Sequence, residues 1–225
     1  MGKPDELATR YYEQGADELL YIDTVASLYG RNNLTDVVKQ AATHIFIPMT
    51  VGGGIRAVAD AQALLRSGAD KIAVNTAAVK NPALIRELAS VLGSQAVVLS
   101  LQVKRIGPEK WEAYVDNGRE KTGLDALDWA RQAEELGAGE ILVTSVDRDG
   151  TGQGFDEEFI SNLVAAVAVP VIAGGGAKDP QDVTKLIGAT GVSAVAVASM
   201  LHYGRATIGD IKRELAEAGI PTAWH

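Results

Sequence analysis

The stretches IFIPMTVGGGI (residues 45–55) and VAVPVIAGGGA (residues 167–177) carry the pattern that specifies the fold. Each is an apolar run that contains a proline and ends in three glycines, and the two triplets lie 122 residues apart. Two further pairs of landmarks share this spacing: Gly15–Glu18 with Gly137–Glu140 (122 residues), and Asn75-Thr76 with Ala198-Ser199 (123 residues). Landmarks in the same order at nearly one spacing indicate an internal duplication of about 120 residues.

Short apolar runs alternate with helical segments along the chain. The runs are rich in Val and Ile and mostly lack apolar/polar alternation, which is typical of parallel strands buried on both faces. Seven runs are visible: Glu18–Asp23, Ile45–Val51, Lys71–Asn75, Ala96–Val103, Glu140–Val146, Val169–Ala173 and Ala194–Ala198. Helices are predicted at Ala57–Ser67 and Asp125–Leu136, and Gly68, Gly137 and Gly219 are predicted to end helices. The alternation predicts an α/β fold with a parallel sheet, and no linker divides the chain, so we predict one domain over residues 1–225.

The duplication predicts one strand more than the chain shows. The run Ala96–Val103 opens the second half, and its counterpart would precede Met1. Four strands in each half make eight, and about 25 added residues would give the roughly 250 residues of an eight-stranded βα barrel. We therefore predict a TIM-type βα barrel of two similar halves (about 1–94, incomplete, and 95–225) with its first strand missing. Three outcomes are open for the unpaired strand edges: a rearranged closure, a gap filled by another segment, or self-association.

Composition excludes several classes of protein. The 225 residues carry a net charge of −8 and no cysteine, so disulfides, thiolate metal sites and a cysteine nucleophile are excluded. The acidic balance argues against a nucleic-acid partner, and no apolar run has membrane-spanning length. The first residues lack the apolar region of a signal peptide. We expect a cytoplasmic protein without nucleic-acid or membrane partners.

Glycines and small polar residues at the predicted strand ends point to phosphate binding. Glycine lets backbone N–H groups approach a phosphate, and a following helix adds the positive end of its dipole. One predicted cradle joins Gly54 to Asn75 and Thr76, and a second joins Gly176 to Ala198-Ser199. A single triplet would be read as a chain turn, but the pairing favours two phosphate cradles facing one mouth. Such a site suits a substrate with a phosphate at each end.

Acid and base candidates are fewer. Asp23, Asp147 and Asp149 follow strands, and for Asp147 and Asp149 an Asx-turn or helix cap explains either residue as well as catalysis does. Without a supporting His or third carboxylate we predict no metal and no cofactor. Gln102 stands where a barrel enzyme often has a carboxylate, and Gln cannot act as a general base. His44, His202 and His225 occupy unpromising positions.

Within residues 105–122, the alternating run Lys110–Val115 followed by Asn117-Gly118 predicts a β-hairpin.

Several motifs as a set resemble the HisF family, the cyclase subunit of imidazole glycerol phosphate synthase. They are Thr50–Ile55 (TVGGGI), Gly68–Ile72 (GADKI), Asn75–Ala78 (NTAA), Gly137–Ile141 (GAGEI) and Thr144–Thr151 (TSVDRDGT). The resemblance runs from about Gly2 to the C-terminus. A sister isomerase of histidine biosynthesis, which shares the duplicated barrel, resembles the chain less well at Gly137–Thr151.

The resemblance implies a function for specific positions. The family takes ammonia from a glutaminase partner and adds it to a bis-phosphorylated formimino carboxamide ribonucleotide, which is cleaved and cyclised to imidazole glycerol phosphate. The implied phosphate ligands are Gly54, Asn75, Thr76, Asp149, Gly150, Gly176, Ala198 and Ser199. Glu18, Lys71 and Glu140 are the implied members of the ring that admits ammonia at the barrel bottom; a salt-bridge network is the alternative interpretation, and the two can hold together.

Two departures from the family pattern bear on activity. The family's catalytic aspartates end its first and fifth strands; the first strand is absent here, and the fifth-strand position is Gln102. Loss of a positioned acid or base lowers the rate about 10²–10⁴-fold each. We therefore predict impaired cyclase activity, with Asp23 and Asp147 as the remaining candidates for catalysis. The alternative is an inactive or divergent member that binds a phosphorylated ligand or a partner, or amidates another substrate.

Overall fold

A computed structural model describes residues 4–24 and 34–223. Its strands are β1 (Leu19–Ile22), β2 (Met49–Gly52), β3 (Lys71–Val74), β4 (Val97–Gly107), β5 (Lys110–Val115), β6 (Glu120–Asp125), β7 (Glu140–Ser145), β8 (Val171–Gly174) and β9 (Ala194–Ala196). Its helices are α1 (Pro4–Glu13), α2 (Leu34–Ala41), α3 (Val58–Arg66), α4 (Thr76–Lys80), α5 (Ala83–Leu92), α6 (Ala126–Leu136), α7 (Glu157–Ala166), α8 (Pro180–Thr190), α9 (Ser199–His202) and α10 (Ile208–Glu217). None of the described helices has the length and apolar character needed to cross a membrane.

Seven parallel strands form a sheet that is nearly closed into a barrel. Their order is β1-β2-β3-β4-β7-β8-β9, and each neighbouring pair is parallel. Each of these strands except β4 is followed directly by a helix among the described elements, and β4 is followed by β5 and β6 before α6, so the alternation is that of a βα barrel with one insertion. The predicted fold class and the seven parallel strands are confirmed. Among the described residues the path of paired strands begins at β1 and ends at β9.

Local sequence explains where the helices begin and end. The carboxylate of Asp125 accepts hydrogen bonds from the N–H groups of Leu127 and Asp128 and so caps α6. Gly137 then ends α6 in the left-handed conformation (φ 110°) that glycine adopts without strain. The predicted helices at Ala57–Ser67 and Asp125–Leu136 are confirmed as α3 and α6 within one residue at each end.

The core lies on both faces of the sheet. One large cluster packs the helices against the strands, and it includes Ile72 and Val74 of β3. A second, smaller cluster takes the alternate residues of the same strands: Ala73, Val98, Leu142 and Ile172. Because successive side chains of a strand point to opposite faces, this second cluster lies inside the barrel. Burial on both faces is the reason why these strands read as continuous apolar runs.

Strand β4, in the middle of the strand order, carries an antiparallel extension. β4 is longer than the predicted run because it continues to Gly107, where it pairs antiparallel with β5. β5 then pairs with β6 across the turn Asp116–Arg119, so the predicted hairpin is confirmed. Asp116 and Asn117 both have positive φ values (52° and 56°), which Asp and Asn tolerate better than most residues.

Helix α1 joins the two ends of the sheet path. Arg10 donates through Nη2 to the carbonyl oxygen of Leu201 (3.3 Å), and the hydroxyl of Tyr11 lies 2.6 Å from Nδ1 of His202. Lys212 of α10 pairs with Asp17, just before β1, at 2.8 Å. These contacts hold residues that follow β9 against residues that precede β1.

Candidate functional site

The carboxyl ends of β1 to β4 surround a cavity of about 440 Å³. Parallel strands of a barrel end on one face, so their following loops meet there. The cavity is lined by Ile22, Asp23, Thr24, Gly52, Gly53, Gly54, Ile55, Arg56, Ala73, Val74, Asn75, Thr76, Ala77, Lys80, Asn81, Ser100, Gln102 and Asn117. The first predicted phosphate set, Gly54 with Asn75 and Thr76, is brought together on its wall.

Glycine is required where the loop after β2 passes β1. A Cβ atom on Gly53 would lie 2.5 Å from the carbonyl oxygen of Asp23 and 2.8 Å from its Cβ atom. Gly53 also has a φ of 108°, and Gly54 one of 72°. Because glycine has no side chain, the backbone of Gly52–Gly54 itself forms part of the cavity wall, which is the property that a phosphate cradle needs.

Gln102 lies at the centre of a hydrogen-bond network beside the cavity. Its Oε1 accepts from Asn75 Nδ2 (3.0 Å) and from the backbone N–H of Gly118 (2.8 Å). Asn75 Nδ2 also donates to the carbonyl oxygen of Tyr114 (3.2 Å), and Gln102 Nε2 lies 3.5 Å from Asn117 Oδ1. The side-chain N–H groups of Asn75 are therefore used within the protein and are not available to an anion.

The hairpin turn forms part of the cavity wall. The backbone N–H of Asp116 donates to the hydroxyl of Thr76 (3.1 Å), so the turn is attached to the start of α4. A Cβ atom on Gly118 would lie 2.8 Å from Val146, which follows β7. The turn is thus held from three sides, by the ends of β3, β4 and β7.

The two candidates for catalysis, Asp23 and Asp147, lie apart. Asp23 lines the cavity. Asp147 is absent from the cavity lining, and its Oδ2 accepts a hydrogen bond from the backbone N–H of Arg105 (2.8 Å). The carboxylate of Asp147 therefore fastens the end of β4, a structural role that the sequence had left open as a turn or cap.

The second predicted phosphate set gathers at the ends of β7, β8 and β9. The carbonyl oxygen of Gly176 accepts from the N–H of Gly154 (2.9 Å), and a Cβ atom on Gly175 would lie 3.4 Å from Cβ of Asp149. Ala198 and Ser199 follow β9, the partner strand of β8. Gly150 belongs to the same loop as Asp149. None of this set lines the cavity described above, so the two sets occupy separate parts of the strand-end face.

The opposite end of the barrel carries a charged cluster. Lys71 Nζ lies 3.0 Å from Glu18 Oε2 and 2.9 Å from Glu140 Oε2, and the hydroxyl of Thr50 donates to Glu18. Burial by itself lowers the pKa of Lys71, but the hydrogen bonds and charges of Glu140 and Glu18 outweigh it and raise that pKa above its usual value. The three residues predicted for this end are brought together.

The sequence alone did not identify some of the residues that the structure places at the site. Arg56 and Lys80 bring positive charge to the cavity, and Asn117 comes to it from the hairpin. Arg56 lies two residues after the first glycine triplet, and a cation so close to a predicted phosphate loop is the signal that could have identified it. Thr50 joins the charged cluster because it is a polar residue, fully buried, within an otherwise apolar strand.

His44 and His202, the two histidines within the described residues, do not line the cavity. His202 Nδ1 contacts the Tyr11 hydroxyl, and His44 Nδ1 lies 2.9 Å from the hydroxyl of Thr43. His225 lies outside the described residues. Burial, then the charges of Arg10 and of the amino terminus, lower the pKa of His202.

A nearly closed barrel of parallel strands, with glycine loops and polar side chains at the strand ends, defines a TIM-type βα-barrel protein with its site on the strand-end face. The model of one family, described as "Histidine biosynthesis protein", matches residues 1–207. The chain belongs to this histidine biosynthesis protein family.

Curated relatives agree with that assignment. A Legionella pneumophila protein named imidazole glycerol phosphate synthase subunit HisF is 60% identical over 176 residues, which are 78% of this chain and 83% of the relative. A protein of the same name from Bacillus cereus (strain Q1) is 46% identical over 220 residues, which are 98% of this chain and 87% of the relative. The resemblance inferred from the motifs is confirmed.

Proposed function

We propose that this chain is a cyclase subunit of the imidazole glycerol phosphate synthase type, acting on a bis-phosphorylated formimino carboxamide ribonucleotide with ammonia as the nitrogen source. The observation that carries the proposal is the pairing of two features in one barrel. Gly54, Asn75 and Thr76 line a cavity at the strand ends, and Lys71 with its two glutamates lies at the opposite end. The curated relatives bear the name of this enzyme's HisF subunit.

The two glycine loops account for a ligand with two phosphates. Backbone N–H groups near Gly54 and Gly176 are the donors we propose for the two phosphates. Arg56 and Lys80, which line the cavity, supply positive charge near the first loop, and Arg205 does so at the second, where its Nη1 approaches Gly152. Positive charge beside backbone donors is the arrangement that favours phosphate oxygens.

A glutaminase subunit is the partner we propose for the end of the barrel that carries Lys71. An exposed aromatic ring (Phe46, 78% exposed) and a neighbouring groove of about 310 Å³ that contains Pro48 and Asp70 lie at this same end, before β2 and β3. Exposed aromatic and apolar residues beside charged ones are typical of protein interfaces. Ammonia released there would enter the barrel between Glu18, Lys71 and Glu140.

Turnover tests the proposal directly. The purified chain is supplied with the bis-phosphorylated substrate and ammonium ions, and formation of imidazole glycerol phosphate is measured by chromatography. Lys80→Ala, on the cavity wall, is expected to raise KM about tenfold by loss of one charged contact. Lys39→Ala, which removes the same charge from the exposed surface of α2, is the matched control and should leave KM unchanged. A chain that forms no detectable product, whether or not it binds the substrate, would contradict the proposal.

The partner is tested by the ratio of two rates. With the glutaminase present, turnover from glutamine is divided by turnover from free ammonia, so that any loss of folded protein cancels. Lys71→Met is expected to lower this ratio, because it removes the ammonium group between Glu18 and Glu140. An unchanged ratio would argue that the cluster is a salt-bridge network alone.

Gln102 favours a second candidate, a family member that binds the phosphorylated ligand with little or no turnover. The Gln102 amide cannot act as a general acid or base, and its Oε1 already accepts from two donors. The same assay distinguishes the candidates: binding measured by calorimetry together with a rate about 10²-fold or more below that of a complete enzyme indicates the second. A rate near that of a complete enzyme would contradict it.

The association state and location are also proposals. Self-association would use the outer edges of β1 and β9, which have no strand partner within residues 4–24 and 34–223, because such edges invite pairing. Light scattering over a range of protein concentrations tests this, and a monomer at high concentration would count against it. We propose the cytoplasm as the compartment, and one domain over the whole chain.

A further inference from the structure

The position of Gln102 is determined by strands on both sides of β4. Its backbone pairs in parallel with Thr144 of β7 and antiparallel with Tyr114 of β5. It therefore stands where the barrel and the hairpin extension join. The side chain at this position reaches the hairpin turn and the cavity together, since both Gln102 and Asn117 line the cavity.

Two backbone groups decide which way the Gln102 amide points. The N–H of Gly118 can only donate, so the atom that faces it at 2.8 Å must be Oε1. The carbonyl oxygen of Tyr114 can only accept, so Asn75 presents Nδ2 to it and gives the other N–H to Gln102 Oε1. Turning the Gln102 amide over would place its NH₂ group against two donors.

The amide nitrogen of Gln102 is consequently the end left for the ligand. Both acceptor positions of Oε1 are filled by Asn75 and Gly118, whereas the only contact of Nε2 among the described residues is a long one, 3.5 Å to Asn117 Oδ1. An N–H donor that is not fully used, on a residue that lines a cavity, calls for a hydrogen-bond acceptor on whatever occupies the cavity.

We infer that Gln102 is a specificity-determining and positioning residue that fastens the hairpin turn onto the barrel through Oε1 and offers Nε2 to an acceptor oxygen of the ligand. This inference rests on the proposed function, and it names a requirement for the substrate: the group beside β4 must accept a hydrogen bond. A hydroxyl, carbonyl or phosphate oxygen qualifies, and a group that can only donate does not. The fastening of the turn holds independently of which ligand binds.

Carboxylate and apolar replacements separate the two roles. A glutamate side chain at position 102 has the same length and can accept from Asn75 and Gly118, but it replaces the N–H donor with a second acceptor. A methionine fills similar volume and keeps neither group. Gln102→Glu should therefore keep the hairpin turn attached to the barrel but weaken binding of the ligand. Gln102→Met should weaken ligand binding and also detach the turn.

The experiment measures two quantities in each variant. The exchange rate of the Gly118 amide hydrogen measures how firmly the hairpin turn is attached. Calorimetry with the bis-phosphorylated substrate measures the affinity for the ligand. We expect Gln102→Glu to keep Gly118 exchange within about threefold of the parent and to weaken substrate binding about 30-fold. Gln102→Met should speed Gly118 exchange at least about tenfold and weaken binding by a similar factor.

Two control variants separate loss of the donor from the added negative charge. Asn81→Asp places the same negative charge on the cavity wall without touching Gln102, so its loss of affinity measures repulsion of the phosphates alone. Gln132→Glu, on the exposed surface of α6, measures the effect of charge on the whole protein. We expect the loss in Gln102→Glu to be at least about tenfold larger than the loss in Asn81→Asp.

Each possible result tests one of the two proposed roles of Gln102. Equal losses in Gln102→Glu and Asn81→Asp would overturn the donor role, and unchanged Gly118 exchange in Gln102→Met would overturn the fastening role. If the parent protein fails to bind the substrate, the proposed function fails and the donor role fails with it. Gly118 exchange then still decides the fastening role, so the two failures are distinguishable.

Discussion

Replacement of Lys71 by methionine removes the positive charge from the cluster at the end of the barrel opposite the cavity. Its ammonium group bridges Glu18 and Glu140 at 3.0 and 2.9 Å, and the three side chains are only 23%, 26% and 16% exposed. Methionine has a similar length and keeps the apolar stem. The variant therefore leaves two poorly solvated carboxylates facing each other, with the hydroxyl of Thr50 still donating to Glu18.

The size of the effect follows from how far the cluster is buried. Breaking a fully buried ion pair lowers the free energy of unfolding by about 3–5 kcal/mol, and an exposed pair contributes about 0–1 kcal/mol. Lys71 lies between these limits, and discounting for solvent screening of a side chain about a quarter exposed gives roughly 1–3 kcal/mol at pH 7. For a chain of this size, that corresponds to a fall in Tm of about 2–10 °C.

The pH dependence gives the prediction its sharpest test. In the parent protein the pKa of Lys71 is raised, so its contribution is present at neutral pH and is lost only as the pH rises through that elevated value. In Lys71→Met the two facing carboxylates hold a proton more readily, because protonation removes their repulsion. The deficit relative to the parent should therefore shrink between pH 7 and about pH 4.5.

Urea unfolding followed by circular dichroism at pH 7 and pH 4.5 measures both quantities. Lys185→Met is the matched control, because Lys185 pairs with Glu157 on the exposed surface and its loss should change the midpoint little. A Lys71→Met midpoint equal to that of the parent at pH 7, or a deficit that is the same at both pH values, would contradict the stabilising role of the ammonium group.

Two further predictions concern the glycine loop and the contact between α1 and α9. Gly53→Ala should lower the free energy of unfolding, measured by urea titration, by about 3 kcal/mol or more and abolish phosphate-ligand binding, because its Cβ would lie 2.5 Å from the carbonyl oxygen of Asp23. Gly15 has a similar φ of 87° but open space around it, so the control Gly15→Ala should lower the free energy of unfolding by only about 1 kcal/mol. The pKa of His202 is lowered by burial and then by Arg10, so the unfolded chain takes up its proton first as the pH falls below about 6.5. Stability is therefore present above that pH and declines below it, and His202→Gln should flatten this slope in urea midpoints measured from pH 7.5 to 5.5.

The barrel separates two kinds of chemistry along its axis. Glycine loops and cations gather at the carboxyl ends of the strands, and the cluster of Lys71 with two glutamates lies at their amino ends. Between them the barrel interior is apolar, lined by residues such as Val98, Leu142 and Ile172. A small neutral molecule such as ammonia can pass an apolar interior more readily than an ion, because an ion would lose its hydration there. This separation suits the proposed function.

Local patterns in the sequence determined most of the architecture. Apolar runs without alternation indicated strands buried on both faces, and the repeat of Gly52–Gly54 at Gly174–Gly176 indicated a barrel with two related loops. These signals are readable because they depend on near neighbours: burial of one strand, the cap at Asp125, the positive φ that Gly137 adopts.

Tertiary contacts alone determine what Gln102 does and how the ends of the sheet path meet. The partners of Gln102 come from Asn75 and Gly118, and Tyr11 meets His202 across 191 residues. Sequence showed only that an amide stands where a carboxylate was expected. The direction of that amide depends on a backbone N–H and a backbone carbonyl delivered by another strand and turn, and those are placed by strand register, which no local pattern encodes.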